Sequence, residues 1–410
     1  MYKMMREFAE NLTKDASQFT SELIRTQSRS NNEKAAAELV AKKLQELGFD
    51  KVFIDDIGNV VGILFGYEAK PTLLLNTHLD TVTPLESDPI WEDTPYSGTI
   101  KNGKIYGVGA SDCKSGIAAQ IYGAHMLLHR TLIPLRGNLI IAVTVSEENG
   151  LSLGVQHLIS KTLPDLKMSV DYAVLGEPTD LGLFYGHDGW AEFTIGMDSP
   201  NPNFLYDATR AVYQNLFNAS NVNNADGSRV LMTVNQPEYS INNSDASITF
   251  NKRIFEDENT DKVISNIKDI SLRNIREKKS LNLEIKLKEE IQRLSNGEKV
   301  QVRYLSNAWE TNPFSALMDR SRQALSSAGC KTLPGKWQLP RVGMGTAGSI
   351  LIKKFGVPTI GYGPGNENAA HAAGEFVEIK NIQECILGTA SIIHNLIGIP
   401  VFGWTSDMDI

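Results

Sequence analysis

The stretch 139-LIIAVTVSEENG-150 joins a continuous apolar run to two adjacent acidic residues. An apolar run without polar alternation is typical of a strand that is buried on both faces of a parallel sheet. Similar runs recur along the first half of the chain, with helical apolar spacing between them. This alternation predicts an α/β fold whose mostly parallel sheet carries helices on both faces. The other runs are 60–65, 73–76 and 172–175, and the helical segments are 32–47, 115–130 and 151–159.

The pattern changes near residue 186, where apolar and polar positions begin to alternate as in half-buried strands. The α/β pattern returns after residue 308. We therefore predict a discontinuous α/β domain of residues 1–185 and 309–410. Residues 186–308 would form an inserted α+β two-layer sandwich. The alternating strands are 191–196, 246–252 and 282–288, with helices at 203–217 and 259–275, and the later helices are 314–328, ending at Gly329, and 380–397.

Composition argues against several classes of protein. The 410 residues are 41% hydrophobic and 21% charged, and this length predicts two domains. A net charge of -8 without a basic run argues against a nucleic-acid partner. Apolar stretches are far shorter than the roughly 20 residues that a membrane span needs, so we expect no membrane partner. Three widely spaced cysteines and the lack of an apolar signal sequence favour the cytoplasm.

Two chemistry-bearing side chains follow the apolar run 73–76. His78 comes after this run and Thr77, and Asp80 two residues later. Ligands gather at the carboxyl ends of strands in open α/β sheets, so His78 is a candidate metal ligand and Asp80 its orienting partner. A hydrogen-bonded structural histidine is the alternative.

The glycine-rich segment 107–116 carries Asp112 just before a predicted helix. A carboxylate at such a turn can bridge two cations, or it can cap the free N–H groups of the helix. The segment lacks the GxxxxGK[ST] spacing of a phosphate-binding loop.

Glu147 and Glu148 follow the predicted strand 139–145. Adjacent buried carboxylates raise each other's pKa and cost stability unless a cation offsets their charge. One of them can bind a metal while its neighbour takes a proton from water. A solvated loop or a helix start is the alternative.

Several residues thus follow predicted strands of one sheet. Imidazoles and carboxylates together form a nitrogen and oxygen ligand set that suits zinc, manganese or cobalt. A bridging aspartate with one histidine and one glutamate on each side would give a balanced pair of sites. The predicted ligands are His78, Asp112, Glu148, Glu177 and His371.

The motifs NTHLDTV, GASDCKSGIAA, VTVSEENG, GEPTD and GYGPGNENAAHAAGE resemble those of a known family in their order and spacing. This is the zinc metallopeptidase and deacylase family of acetylornithine deacetylase, succinyl-diaminopimelate desuccinylase, aminoacylase and glutamate carboxypeptidase. The resemblance implies two divalent metal ions, zinc first with cobalt and manganese as alternatives. It also implies a cis peptide after the bridging aspartate.

The same resemblance implies a role for each site residue. His78 and Glu177 would hold one metal ion, Glu148 and His371 the other, and Asp112 would bridge them. In addition, Asp80 would orient His78 and Glu147 would be the general base. Residues 1–185 and 309–410 would be the catalytic domain and residues 186–308 the lid, in which Arg253 would bind the carboxylate of the substrate.

The activity that the resemblance implies is hydrolysis of an amide bond through a metal-bridged water. The substrate would be an N-acyl amino acid, as in acetylornithine deacetylase and the desuccinylases. A metallo-dipeptidase or carboxypeptidase of the same family, acting on a dipeptide, is the alternative. A homodimer is one assembly that the family suggests.

Two departures from the family motifs leave other functions open. The lid segment 195–211 lacks the histidine that usually supports the oxyanion in this family, and we interpret the nearby His187 as structural. Ala347 follows Thr346, where many relatives carry an acidic or amide residue. A catalytically weak or silent metal-binding relative is therefore a second class of protein. A two-metal phosphoesterase is a third, because an arginine also suits phosphate.

Overall fold

The computed structural model describes residues 1–84, 88–91, 93–128, 134–148, 152–220, 232–240, 244–276, 278–294, 296–339 and 344–399. The predicted end of one helix at residues 129–130 lies outside the described residues, as do the predicted start of another at 151 and the end of the catalytic segment at 400–410.

Helices and strands alternate through the described part of the chain, as the apolar patterns predict. The helices are α1 Tyr2–Arg25, α2 Lys34–Glu46, α3 Ser115–His125, α4 Leu153–His157, α5 Leu163–Asp165, α6 Pro202–Ser220, α7 Thr260–Ser271, α8 Ala316–Ala328, α9 Gly348–Lys353 and α10 Ile379–Ile397. The strands are β1 Lys51–Ile54, β2 Val60–Leu64, β3 Thr72–His78, β4 Thr99–Lys101, β5 Lys104–Tyr106, β6 Asn138–Thr144, β7 Tyr172–Leu175, β8 Leu183–His187, β9 Gly189–Asp198, β10 Met232–Val234, β11 Glu238–Tyr239, β12 Asp245–Ile254, β13 Asn282–Leu287, β14 Glu289–Arg293, β15 Lys299–Arg303, β16 Leu305–Ser306, β17 Trp309–Glu310, β18 Pro334–Trp337, β19 Thr359–Gly361 and β20 Phe376–Glu378.

The large sheet has the order β1-β2-β6-β3-β7-β19-β8-β17, with β18 also paired to β8. Its central pairs, β6 with β3, β3 with β7 and β7 with β19, are parallel, and so is the pair of β18 with β8. The pairs β1 with β2, β2 with β6, β19 with β8 and β8 with β17 are antiparallel. Every residue of β3 and β6 is buried, as expected of strands covered by helices on both faces. The α/β fold class is therefore confirmed.

Strand register decides which residues meet at the edge of this sheet. His78 at the end of β3 pairs with Thr144 at the end of β6, and Asn76 pairs with Leu175 at the end of β7. Because these strands are parallel, their following segments emerge at the same edge. The segments that carry Glu147 and Glu177 therefore start beside His78.

A second sheet is built around β9, which pairs antiparallel with both β12 and β13. Helices α6 and α7 share one apolar core with these strands. The chain passes between the two sheets twice, because His187 and Trp309 pair in the large sheet while Trp190 and Ser306 pair in the small one. We propose that this second unit, residues 186–308, is a lid domain.

Helix α1 is the main element that the sequence patterns did not predict. It packs against α10 and α3, and its buried side includes Met5, Phe19 and Leu23. The ammonium of Lys114 donates to the carbonyl oxygens of Leu23 and Thr26 at the end of this helix. Helix α1 thus supports the loop next to Asp112. Within the described residues, every helix is too short or too polar to span a bilayer.

Candidate metal centre

Two ligand clusters lie at the carboxyl edge of the large sheet, and they share Asp112. The first contains His78, Asp112, Cys113 and Glu177, and the second contains Asp112, Glu148 and His371. Within each cluster, one donor atom from every residue lies within 4.8 Å of the others. The structure therefore brings all five predicted ligands into one buried place.

The first cluster forms around the imidazole of His78, which is 1% exposed. Its Nε2 lies 3.1 Å from Oδ1 of Asp112 and 3.6 Å from Oε2 of Glu177. Its Nδ1 lies 2.8 Å from the backbone carbonyl oxygen of Asp80, so the second ring nitrogen is already held. With Nδ1 donating a proton there, Nε2 carries the lone pair that a metal ion would take.

The second cluster forms around His371, which has the left-handed φ of 56°. Its Nε2 lies 2.9 Å from Oε2 of Glu148 and 3.4 Å from Oδ2 of Asp112. Asp112 thus presents one oxygen to each histidine, which is the arrangement of a bridging carboxylate. The peptide between Asp112 and Cys113 is cis, which confirms that expectation.

Burial has the largest effect on the pKa values of the glutamates in this centre. It raises the pKa of Glu147, Glu148 and Glu177, to about 7 for Glu177. The nearby charge of Asp112 adds to the rise for Glu148 and Glu177. Each of these glutamates would therefore lose proton affinity, and gain stability as a carboxylate, if cations were bound beside it.

The carboxyl group of Asp112 differs from those of the glutamates in the direction of its pKa shift. Burial alone would raise the pKa of Asp112, but hydrogen bonds from His371 and His78 hold it well below its usual range. Burial alone would lower the pKa of His371, but the charge of Glu148 and the hydrogen bond with Asp112 raise it to about 11. The carboxylates here require positive charge beside them, which bound cations would supply.

Asp80 does not reach His78 chiefly through its carboxylate, because its Oδ1 is 3.7 Å from Nδ1. Its carboxylate oxygens accept the backbone N–H groups of Glu147 and Glu148 and the hydroxyl of Ser30. Asp80 therefore contacts the imidazole through its carbonyl and fixes the two glutamates through its side chain.

Glu147 is 7% exposed and belongs to neither of these two ligand clusters. Its charge nevertheless interacts with those of His78 and Glu177. A carboxyl group that is close to the ligands without being one of them can accept a proton.

Two further carboxylates, missed by the sequence analysis, hold the loops that bear site residues. Glu375 accepts the N–H groups of Gly109, Ser111 and Asp112 at 3.0, 2.7 and 3.0 Å. It is 2% exposed, and burial raises its pKa to about 7. Its position at the end of the motif GYGPGNENAAHAAGE, four residues after His371, was the available signal.

Glu33, at the start of α2, is the second of these carboxylates. Its Oε1 accepts the N–H groups of Asn31 and Ser146 at 2.9 and 3.1 Å. Ser146 has the left-handed φ of 53°, and it directly precedes Glu147. Glu33 therefore stabilises a strained turn that aims the candidate base.

The lid contributes Arg253, which extends from β12 and donates to the carbonyl oxygen of Leu339. The guanidinium also interacts electrostatically with the carboxylates of Asp188 and Glu367. Glu367 interacts in turn with the charge of Asp112. Glu367 therefore interacts with both Arg253 and Asp112.

His187 lies at the junction of the two sheets, and both of its ring nitrogens have partners. Nδ1 is 2.8 Å from the carbonyl oxygen of Asp188, and Nε2 accepts the N–H of Thr346 at 3.0 Å. Burial lowers its pKa to about 4, so the ring is neutral. Its edge also packs on the ring of Trp309. These contacts support a structural role for His187.

The side chains of the centre fit two divalent cations. Buried carboxyl groups outnumber imidazoles, and this excess of negative charge is costly without a cation. Oxygen and imidazole donors suit zinc, cobalt or manganese. The thiol of Cys113 instead donates to the carbonyl oxygen of His78, and burial keeps its pKa well above the usual range. The five predicted ligands are the better donor set.

A helix-covered sheet with paired ligand clusters at its carboxyl edge is typical of a metallohydrolase. The model of peptidase family M20/M25/M40 matches residues 74–395, which is most of the chain and includes all the cluster residues. The chain belongs to this family.

Curated relatives match over parts of their length. The chain is 28% identical over 194 residues to the uncharacterized protein YgeY of Escherichia coli K12, covering 47% of this chain and 46% of the relative. It is 32% identical over 169 residues to succinyl-diaminopimelate desuccinylase 2 of Ruegeria sp., covering 41% and 42%. The chain thus spans less than half the length of these curated relatives.

Solved structures match over nearly the whole fold. The di-peptidase Dug1p of Saccharomyces cerevisiae superposes with a TM-score of 0.71 at 12% identity, over 97% of this chain and 98% of that one. The dinuclear metal-binding peptidase YXEP of Bacillus subtilis gives 0.69 at 13% identity, over 95% and 99%. Human carnosine dipeptidase 1 gives 0.69 at 16% identity, over 96% and 98%. At these identities, the likeness establishes the fold.

Proposed function

We propose that the protein is a metal-dependent N-acyl-amino-acid deacylase. The observation that carries this proposal is Asp112 between two ligand clusters, with the buried Glu147 beside them. His78 and Glu177 would hold one divalent ion and Glu148 and His371 the other. Zinc is the ion that we propose, with cobalt and manganese as substitutes.

When bound, the two ions would lower the pKa of a shared water and polarise the scissile carbonyl. Residues of the protein would then transfer the proton of this water. Asp80 fixes the N–H of Glu147, and Glu33 fixes Ser146 before it, so the carboxylate is held in one place. Glu147 would accept a proton from the attacking water and deliver it to the leaving amine.

The amino-acid half of the substrate would be recognised from the lid. Arg253 is half-buried and close to the negative charge of Glu367. A substrate carboxylate would replace the carbonyl oxygen of Leu339 as its partner, and a charge-assisted pair is the stronger one. We place the protein in the cytoplasm and expect that the lid mediates a homodimer.

A dipeptidase is the second candidate function. Two of the similar solved structures, Dug1p and carnosine dipeptidase 1, are dipeptidases by their descriptions. The same centre and the same lid arginine would serve a dipeptide, since the scissile bond is also an amide.

The test combines metal content with turnover. Purified protein is loaded with zinc, cobalt or manganese, its metal is counted by mass spectrometry, and it is assayed on N-acyl amino acids, dipeptides and a phosphodiester dye. We expect two ions per chain and hydrolysis of N-acyl amino acids. Glu147→Gln should lower kcat by about 10³-fold with both ions retained.

Three results would contradict the proposal. Faster hydrolysis of dipeptides would favour the dipeptidase. Two bound ions without turnover, unaltered by Glu147→Gln, would show a silent metal-binding relative. Loss of metal in Glu147→Gln would show that this residue is a ligand.

A further inference from the structure

A cavity of about 190 Å³ lies beside His371. We propose that this cavity is the acyl-group subsite, and that it selects a neutral, mainly apolar acyl group of about four to six carbons. The inference rests on the proposed deacylase function, because it assigns one half of that substrate to a place in the fold.

The walls of the cavity come from three segments that also carry site residues. One is the loop that follows Asp80, the second is Val108 just before the Asp112 loop, and the third directly follows His371. A group in this cavity is therefore next to the second ligand cluster. The apolar lining is Val82, Pro84, Trp91, Val108, Ala372 and Ala373, and the polar lining is Thr83, Asp88, His371 and Glu375.

The size of the cavity sets the size of the group. An apolar cavity of about 150 Å³ is large enough to bind benzene. At about 190 Å³, this cavity would accept a six-carbon chain or a phenyl ring. An acetyl group would fill only part of the cavity and would leave most of the apolar wall in contact with water.

The location of the lining residues points to the acyl half of the substrate. All of them lie in segments before residue 109 or after residue 370, in the unit built on the large sheet. Arg253, by contrast, extends from β12 in the lid unit. If the lid binds the carboxylate of the amino acid, the group on the other side of the scissile bond takes the cavity.

Charge and hydrogen bonding refine the choice. Asp88 lies in the wall and would repel a second carboxylate, as in a succinyl group. The Nε1–H of Trp91 is buried without an acceptor among the described residues. A carbonyl or hydroxyl oxygen on the acyl chain could accept this proton, because buried donors are normally paired. A neutral acyl chain therefore suits the wall better than an anionic one.

The first experiment measures kcat/KM for N-acetyl, N-butanoyl, N-hexanoyl and N-succinyl derivatives of L-alanine, L-methionine and L-ornithine. We expect a gain of roughly three- to fourfold for each buried methylene, from acetyl to hexanoyl. The succinyl group has the same chain length as butanoyl but carries a charge. We expect its kcat/KM to be at least about 10-fold lower than that of butanoyl.

Variants locate the effect in the cavity. Val82→Phe should fill it and remove the advantage of hexanoyl over acetyl in kcat/KM. Trp91→Ala should open the wall and lower the kcat/KM of hexanoyl by about 10-fold. Phe314→Ala is the matched control, because it removes an aromatic ring that is 88% exposed and is not part of this lining.

A binding measurement separates the subsite from the activity. Glu147→Gln protein is titrated with N-acetyl- and N-hexanoyl-L-methionine by calorimetry. Tighter binding of hexanoyl that Val82→Phe removes would support the subsite even if the wild-type protein shows no turnover, which would refute only the deacylase function. Equal affinity and equal kcat/KM along the series, unchanged in Val82→Phe, would overturn the subsite while leaving the deacylase function standing.

Discussion

Glu375→Gln tests whether a carboxylate that is not a ligand sets the position of the bridging residue. In the structure, its Oε1 accepts the N–H groups of Ser111 and Asp112, and its Oε2 accepts that of Gly109. Glutamine has nearly the same shape, but it has one oxygen and one amide group. At least one backbone N–H would then face a donor instead of an acceptor.

The expected magnitude follows from these bonds. A hydrogen bond to a charged group contributes about 1.5–3 kcal/mol, and a neutral one about 1 kcal/mol. One lost bond costs about 1.5–3 kcal/mol and each of the two weakened bonds about 0.5–2 kcal/mol, so the free energy of unfolding should fall by about 2.5–7 kcal/mol. Substitutions that disturb the support of a metal ligand typically lower metal affinity by about 10- to 100-fold.

The assay is calorimetric titration of metal-free protein with zinc, together with urea unfolding of the same samples. Glu378→Gln is the control, because Glu378 lies three residues away and pairs with Lys380 at the surface. Glu375→Asp, which keeps the charge, should recover part of the zinc affinity. If Glu375→Gln binds both ions as tightly as wild type, Glu375 does not position Asp112.

Three further predictions concern the ligands, the lid and pH. Asp112→Ala should lose both metal ions, as counted by mass spectrometry, and retention of two tightly bound ions would exclude a bridging role. Arg253→Met should raise KM by about 10- to 100-fold for substrates with a free carboxylate, and the corresponding amides should be unaffected. His187 should make the protein less stable below its ordinary pKa of 6.5, because its folded pKa is about 4 and the unfolded chain binds the extra proton. The loss should reach up to about 3 kcal/mol near pH 4, measured by urea unfolding, and a His187→Gln protein with the same pH profile as wild type would refute this cause.

The strands and helices with strong periodicity were predictable. The helix expected at 314–328 was placed to end at Gly329, and α8 ends there because Gly329 adopts a φ of 73°. The buried strands around 73–76 and 139–145 were also predicted, since continuous apolar runs leave few alternatives. Helix α1 was missed, although its buried positions recur at helical spacing.

The supporting carboxylates could not be found from local patterns. Glu375 and Glu33 act by accepting backbone N–H groups, and backbone groups leave no mark in the sequence of the segment that donates them. The partner of Glu375 at Asp112 is 263 positions away, and the partner of Glu33 at Ser146 is 113 positions away. The predicted metal ligands could be found from local patterns, because each imidazole or carboxylate follows its own strand. Their roles in metal binding remain predictions.

The contact between Gly109 and Glu375 spans 266 positions of the chain. A nascent chain on the ribosome will therefore present His78, Asp112, Glu148 and Glu177 well before His371 and Glu375 have been made. In that interval the loop of Asp112 lacks the carboxylate of Glu375, which accepts its backbone N–H groups. The second cluster also lacks the imidazole of His371. Stable loading with a pair of ions must then wait for the last tenth of the polypeptide. A chain truncated before residue 371 would compete poorly for scarce metal in the cell.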